Sequence, residues 1–130
     1  MTGPKISSSA QGLGLEYARQ LVAAGCRCLV LTSRSGTLPL EVLQEFASAG
    51  VTVFTVSADS GDAEESAAAL RWAHEHLPAV QHYAHAAGVS GFAMLDNLNK
   101  ADFWDVAKPK VRLCHSVLSK YIFVHDIEYR

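Results

Sequence analysis

The sequence has few charged residues and no long apolar run, and these shortages exclude several classes of protein. Asp, Glu, Lys and Arg make up 18% of the 130 residues and leave a formal net charge of -2. Because Lys and Arg form no basic run, we expect no binding to nucleic acid or to an acidic membrane surface. No stretch approaches the ~20 apolar residues of a membrane-spanning helix, so we predict no membrane association and a cytoplasmic location.

Cysteines are also scarce, and their spacing is typical neither of a disulfide framework nor of a zinc site. Cys26, Cys28 and Cys114 are an odd set without a CxxC pair, which favours a reducing compartment. The sequence also lacks a GxSxG elbow and a P-loop lysine, so hydrolase and ATPase functions have no support.

The six histidines do not make up a metal site. His74 and His76 are two apart on a predicted helix and therefore point in different directions. His82 and His85 are three apart on a predicted strand and lie on opposite faces. We predict no metal.

What the sequence does contain is an alternation of short β-rich runs with longer stretches of helical period. This alternation predicts an α/β fold, with a Rossmann-like, doubly wound parallel sheet and helices on both faces, in one domain over residues 1–130. About five strands are expected: Lys5–Ser7, Cys28–Thr32, Val51–Val56, Val80–Ala87 and Tyr121–Val124.

The first two predicted helices have apolar stripes at helical spacing. The stripe of the first helix consists of Leu13, Tyr17 and Leu21, with Ala18 and Val22 beside them. The stripe of the second helix consists of Leu43, Phe46 and Ala47. Gly25 is expected to end the first helix as a C′ glycine. Thr37 is the expected N-cap of the second helix, with Pro39 in its first turn.

The remaining two helices carry clearer signals at their ends than along their length. The segment from Asp59 to Asp62 is expected to supply the cap of the third helix, which runs to Pro78. The fourth helix is predicted over Asp102–Leu118, and Pro109 should kink or divide it.

Glycines follow the first strand at the position where dinucleotide-binding folds place a pyrophosphate. In the segment from Ser7 to Gly14, Gly12 would let the backbone approach a phosphate, and Gly14 would let the helix pack closely on the strand. A single GxG pattern is also consistent with glycines that only end or pack helices, so both interpretations stay open.

The end of the second predicted strand carries the signal for the choice of cofactor. Ser33, Arg34 and Ser35 stand where an NAD-dependent protein has an acidic residue for the ribose hydroxyls. A guanidinium flanked by hydroxyl groups suits the 2′-phosphate of NADP. The alternative is an ordinary solvated arginine.

Two further strand ends have candidate contacts. Asp59 would accept a hydrogen bond from an adenine amino group, or it would cap the helix that follows. Ala86, Ala87 and Gly88 are small enough for a nicotinamide ribose to lie against their backbone, or they serve only tight packing.

Taken in order, the segments SSSAQGLGLEYARQL, LVLTSRSG, SAD, HAAGV and DFWDVAKPKV resemble the ketoreductase domains of polyketide synthases and animal-type fatty acid synthases. The resemblance implies a short-chain dehydrogenase/reductase that uses NADPH to reduce a β-keto group on an acyl carrier protein to a β-hydroxy group. It implies that Lys110 is the active-site lysine, which assists a catalytic tyrosine. The implied cofactor contacts are Gly12, Leu13 and Gly14 at the pyrophosphate, Ser33, Arg34 and Ser35 at the 2′-phosphate, Ala58 and Asp59 at adenine, and Ala86, Ala87 and Gly88 at the nicotinamide.

The sequence departs from the family pattern in three places. Ser8 stands at the first glycine of TGxxxGxG, and Ser90, Gly91 and Phe92 replace the Leu-Asp-Asp signature of one stereochemical class. The catalytic serine and tyrosine of the family follow a fifth strand, and Tyr129 has no YxxxN context. We therefore expect a chain truncated before its catalytic segment and inactive by itself, or alternatively a non-catalytic nucleotide-binding or scaffold module. Its expected partners are other domains of a multidomain synthase, or other copies of the chain through an exposed sheet edge.

Overall fold

The computed structural model describes residues 5–7, 12–88 and 95–124, which fold into alternating strands and helices. In chain order the elements are β1 (Lys5–Ser7), α1 (Gly12–Ala23), β2 (Cys28–Ser33), α2 (Leu40–Ser48), β3 (Thr52–Ser57), α3 (Ala63–His76), β4 (His82–Ala84), a short 3-10 helix (Leu95–Asn97) and α4 (Lys100–Val124).

The four described strands form one parallel sheet in the order β3-β2-β1-β4. Ile6 of β1 pairs with Val30 of β2 on one side and with Tyr83 of β4 on the other. The chain therefore winds outward from β1 through β2 to β3, and then returns to the far side of β1. This is the predicted doubly wound topology, with its change of direction between β1 and β4.

Strand β2 is buried on both faces and divides the core into two layers. Leu29 and Leu31 are fully buried with Phe46 in the layer formed by α1 and α2. Val30 points to the opposite face, where it packs with Leu70 of α3. Helices on both faces explain why the sequence of β2 is a continuous apolar run rather than an alternating one.

Two predicted helix ends are confirmed. Gly25 follows α1 with a φ of +97°, a conformation that glycine adopts without a Cβ penalty. At the start of α3, the Asp62 side chain accepts hydrogen bonds from the backbone N–H groups of Glu64 (2.8 Å) and Glu65 (3.0 Å). Helix α3 ends at His76, two residues before Pro78.

The predicted N-cap of α2 is wrong. The helix begins at Leu40, and Pro39 occupies the cap position without a side-chain cap. Thr37 is drawn into the preceding turn instead, because its backbone N–H and its hydroxyl both bond to Ser35 Oγ. A threonine close to a helix start can bond either to the first turn of the helix or to the residues before it. Here Thr37 bonds to the preceding turn.

The predicted buried stripes of α1 and α2 are only partly correct. In α1 the predicted Leu13 is 84% exposed and Tyr17 is 39% exposed, while the buried positions are Gly14, Ala18 and Leu21. The buried side is therefore shifted by one residue at its first two positions, where the small residues Gly14 and Ala18 are buried, and Leu21 is buried as predicted. In α2, Phe46 is buried as predicted, Val42 is the other buried residue, Leu43 is half-buried and Ala47 is exposed.

The predicted fifth strand, Tyr121–Val124, is wrong, because these residues form the end of helix α4. A short β-branched and aromatic run does not by itself distinguish a strand from a helix segment. The helix is also continuous through Pro109, so the proline does not divide it. The described part of the sheet has four strands, and β4 covers only His82–Ala84 of the predicted Val80–Ala87.

Within the described ranges, no helix is both long enough and apolar enough to span a bilayer. The same residues contain no group of three or more His, Cys, Asp or Glu side chains arranged to hold a metal ion.

Candidate functional site

The predicted cofactor contacts lie at or after the carboxyl ends of strands, and the parallel sheet places those ends along one edge. Gly12 follows β1, Arg34 follows β2, Asp59 follows β3 and Gly88 follows β4. In open α/β sheets, ligands bind at this edge, where the winding direction changes. That change lies between β1 and β4 in this sheet, so the Gly12 and Gly88 segments flank it.

The start of α1 has the features of a phosphate cradle. Gly12 has a φ of +54°, which a residue with a Cβ rarely adopts. Gly14 is buried, and the first turn of α1 contains no acidic residue. A helix N-terminus without a carboxylate attracts an anion through its N–H groups and its dipole. Leu13 is exposed at this end of the helix.

The turn after β2 is closed by its own hydroxyl groups. The Gly36 N–H donates to the carbonyl oxygen of Ser33 (3.2 Å) and to Ser33 Oγ (3.1 Å). Ser33 Oγ lies 3.4 Å from Ser35 Oγ, which accepts from the Thr37 hydroxyl at 3.0 Å. The two hydroxyls predicted to flank Arg34 are therefore neighbours on one turn.

Arg34 is exposed at the tip of this turn. Among the residues that the structure describes, none forms an ion pair with its guanidinium. An exposed guanidinium between two hydroxyl groups is suited to a dianionic phosphate.

The end of β3 resolves one alternative left open by the sequence. Asp62 caps α3, whereas Asp59 Oδ1 accepts from the Gly61 N–H at 2.7 Å and shapes the turn before the helix. The cap interpretation of Asp59 is thus not supported, and its contact with adenine stays a prediction. Ala58 is buried and lines a small pocket between the sheet and α3. The other residues of that lining are Val30, Thr32, Ser60, Ser66, Ala69, Leu70 and Tyr83.

Lys110 of α4 lies beside Gly88, although 22 positions separate them in the sequence. The Lys110 Cε atom is 3.7 Å from the position that a Cβ would take at Gly88. Lys110 is exposed, and Ala86 and Ala87 are half-buried. The structure therefore brings the predicted active-site lysine to the predicted nicotinamide segment, at the change of direction between β1 and β4.

From the sequence, His85 is a candidate only as a metal ligand. Its environment in the folded chain depends on residues that are distant in the sequence. Burial lowers the pKa of His85, and the backbone groups of Pro109 and Lys110 oppose that effect in part. The imidazole therefore lies close to the backbone of Pro109 and Lys110 in α4. No local sequence signal indicates this contact.

Ser57, the last residue of β3, was also missed. Its hydroxyl donates to the carbonyl oxygen of Arg34 at 2.8 Å. A serine at a strand end is unremarkable in sequence, and the contact depends on the pairing of β2 with β3.

Some sequence predictions concern residues outside the described ranges. These are Ser8 in the phosphate loop, Ser90, Gly91 and Phe92 at the stereochemical signature, and Tyr129 near the end of the chain.

The strand order β3-β2-β1-β4 and the helix that begins at Gly12 after β1 define a Rossmann-type fold. The chain belongs to the KR domain family, whose model matches residues 6–122.

Individual relatives agree with this assignment. The chain is 34% identical over 113 residues to 5-methyl-1-naphthoate synthase of Streptomyces sahachiroi, a match that covers 75% of the chain and 6% of the synthase. A ketoreductase domain from the bacillaene assembly line superposes with a TM-score of 0.80 at 25% identity, covering 91% of this chain and 29% of that one. An actinorhodin polyketide ketoreductase with NADPH superposes with a TM-score of 0.73 at 25% identity, covering 90% and 46%. The chain thus spans a small part of the synthase and less than half of each of these two ketoreductase chains.

Proposed function

We propose that this chain is the NADPH-binding part of a β-ketoacyl reductase domain in a polyketide or fatty acid synthase. In the complete domain, the reaction would convert a β-keto group on an acyl carrier protein to a β-hydroxy group. Family membership supports the reaction class, and the actinorhodin ketoreductase was solved with NADPH. The substrate, its carrier protein and the neighbouring synthase domains are part of this proposal.

The observation that carries the choice of cofactor is the setting of Arg34. Arg34 is exposed on a turn that contains the hydroxyl groups of Ser33 and Ser35, and this turn has no carboxylate. A carboxylate there would repel the 2′-phosphate of NADPH, whereas the guanidinium attracts it. Gly12, Leu13 and Gly14 would hold the pyrophosphate, and Ser33 and Ser35 would donate to the 2′-phosphate.

The rest of the cofactor would extend along the carboxyl edge of the sheet. We assign Ala58 and Asp59 to the adenine, where the Asp59 carboxylate is the acceptor for the amino group. Ala86, Ala87 and Gly88 would contact the nicotinamide half. When bound, the reduced nicotinamide supplies a hydride to the carbonyl carbon.

Lys110 would assist the proton transfer that accompanies hydride transfer. Its ammonium group, next to Gly88, would hold a nearby acidic hydroxyl by electrostatics and hydrogen bonding, so that this hydroxyl protonates the alkoxide. By family resemblance the hydroxyl belongs to a tyrosine, which the 130 residues do not contain in its YxxxN context. Lys110 therefore assists a proton donor and does not replace one.

The test of the cofactor assignment is a titration of the chain with NADPH and with NADH, followed by nicotinamide fluorescence or calorimetry. We expect tighter binding of NADPH. Equal affinities, or tighter binding of NADH, would contradict the role of Arg34 at the 2′-phosphate.

A further inference from the structure

We propose that Ser57 is a positioning residue that holds the turn at Ser33–Gly36 in the shape that presents Arg34 to the 2′-phosphate. Ser57 would thereby help to set the preference for NADPH over NADH. This inference rests on the proposed function, because it assumes that Arg34 binds the phosphate.

The first contact is a hydrogen bond between neighbouring strand ends. Ser57 pairs in register with Ser33, and the next residue along β3 continues this pairing, since the Ala58 N–H donates to the Ser33 carbonyl oxygen at 2.9 Å. One residue farther along the turn, the Ser57 hydroxyl donates to the Arg34 carbonyl oxygen at 2.8 Å. The side chain of Ser57 thus extends the pairing of β2 and β3 into the turn.

The second contact is a close approach of Gly36 to the same serine. Gly36 has a φ of +65°, and a Cβ at this position would lie 2.9 Å from both the Cβ and the backbone nitrogen of Ser57. Such a distance is too short for non-bonded carbon atoms, so the turn packs against Ser57 only because residue 36 is a glycine. Ser57 therefore contacts the turn at its second and fourth residues.

These two contacts determine where the phosphate-binding groups point. A fixed Arg34 carbonyl fixes the peptide plane between Arg34 and Ser35, and with it the directions in which both side chains leave the backbone. No ion pair among the described residues orients the Arg34 guanidinium. The average position of the guanidinium therefore depends on the backbone of the turn, and Ser57 of the neighbouring strand β3 restrains that backbone.

The experiment compares the dissociation constants of NADPH and NADH for the wild-type chain and for Ser57→Ala and Ser57→Thr. In Ser57→Ala we expect NADPH to bind roughly three- to tenfold more weakly, the effect of one neutral hydrogen bond, while the affinity for NADH stays the same. Ser57→Thr keeps the hydroxyl and should restore the wild-type ratio. Thr55→Ala, which removes an exposed hydroxyl from the same strand, is the matched control and should change neither constant.

A second variant acts on the other contact. In Gly36→Ala the new methyl group displaces the turn from Ser57, and we expect the same selective weakening of NADPH binding. An equal loss of affinity for both cofactors in Ser57→Ala and Gly36→Ala would overturn the positioning role, because it would indicate general damage to the fold.

The outcome for the wild-type chain separates this inference from the proposed function. If the wild-type chain prefers NADPH and Ser57→Ala keeps the full preference, only the positioning role is overturned. If the wild-type chain has no preference, the cofactor assignment itself is wrong, and the role of Ser57 is overturned with it.

Discussion

At the scale of single residues, Arg34 and Lys110 are both exposed cations, and we propose different tasks for them. Arg34 would bind the 2′-phosphate of the cofactor, and Lys110 would act next to the nicotinamide. We expect Arg34→Ala to weaken NADPH binding by roughly 1.5 to 3 kcal/mol, the range for a hydrogen bond to a charged group. The affinity for NADH should stay unchanged, because NADH has no 2′-phosphate. Titrations of both cofactors measure this effect.

Arg71→Ala is the matched control for Arg34→Ala, since Arg71 is an exposed arginine of α3. It should leave both affinities unchanged. A comparable loss of NADPH binding in the two variants would show that net charge, rather than the position of Arg34, attracts the cofactor.

The environment of His85 links the stability of the chain to acid pH. Burial lowers the pKa of His85 below the ordinary value of 6.5. The unfolded chain therefore binds the proton more readily than the folded chain does, and stability decreases as protons are added. We expect this contribution to be complete above about pH 6.5 and to be lost as the pH falls from there toward the pKa of the folded state.

The measurement is urea unfolding of the wild-type chain and His85→Asn at pH 7.5 and pH 5.5. Asparagine keeps an N–H donor but does not titrate, so His85→Asn should lose less stability between the two pH values than the wild type does. His74→Asn, at an exposed position of α3, is the control and should retain the wild-type difference. If the free energy of unfolding changes equally between the two pH values in all three chains, His85 is not the source of the pH dependence.

At the scale of elements, the start of α3 has a side-chain N-cap. Asp62 accepts two backbone N–H groups there, and loss of such an N-cap typically costs ~1 kcal/mol. We therefore expect Asp62→Ala to lower the free energy of unfolding by about that amount, measured by urea denaturation. Asp62→Asn keeps a side-chain oxygen and should stay near the wild type; equal stability of Asp62→Ala would contradict the cap.

Helix α4 shows where local patterns are insufficient. Pro109 and the run Tyr121–Val124 predict a divided helix followed by a strand, but the structure has one helix over Lys100–Val124. A strand exists only if a neighbouring strand accepts its hydrogen bonds, and no local pattern reveals whether that neighbour is present. The helix satisfies its own backbone instead.

At the scale of the whole molecule, exposed apolar groups and the edge of the sheet favour association. Among the four described strands, only β1 pairs with β4, and Phe103, Trp104 and Val111 of α4 are exposed. We expect the purified 130-residue chain to self-associate and to bind the dye ANS. Sedimentation velocity measures the association, and a monodisperse monomer that melts cooperatively would contradict it.

We also expect the 130-residue chain to reduce ketones far more slowly than a complete ketoreductase does. A positioned general acid typically contributes 10²- to 10⁴-fold, and the tyrosine that the family uses is not among the 130 residues in its motif. The test is incubation with NADPH and trans-1-decalone, followed by absorbance at the nicotinamide band. Turnover at a rate near that of a complete domain, and abolished by Lys110→Ala, would contradict the need for that tyrosine.

The sequence by itself determined the features that depend on neighbouring residues. The apolar run of β2 and the glycines at the two ends of α1 indicate those elements within a few residues, and the segment Ser33–Gly36 indicates the turn that follows β2. Because strands and helices alternate along the chain, the α/β class and the parallel sheet also followed from local patterns.

Only the tertiary structure decided which distant residues meet. The contacts of Lys110 with Gly88 and of Ser57 with Arg34 join residues 22 and 23 positions apart. The first depends on how α4 packs, and the second depends on the register of β2 against β3. Local sequence patterns do not contain these distances, because packing and strand register are set by the whole set of elements at once.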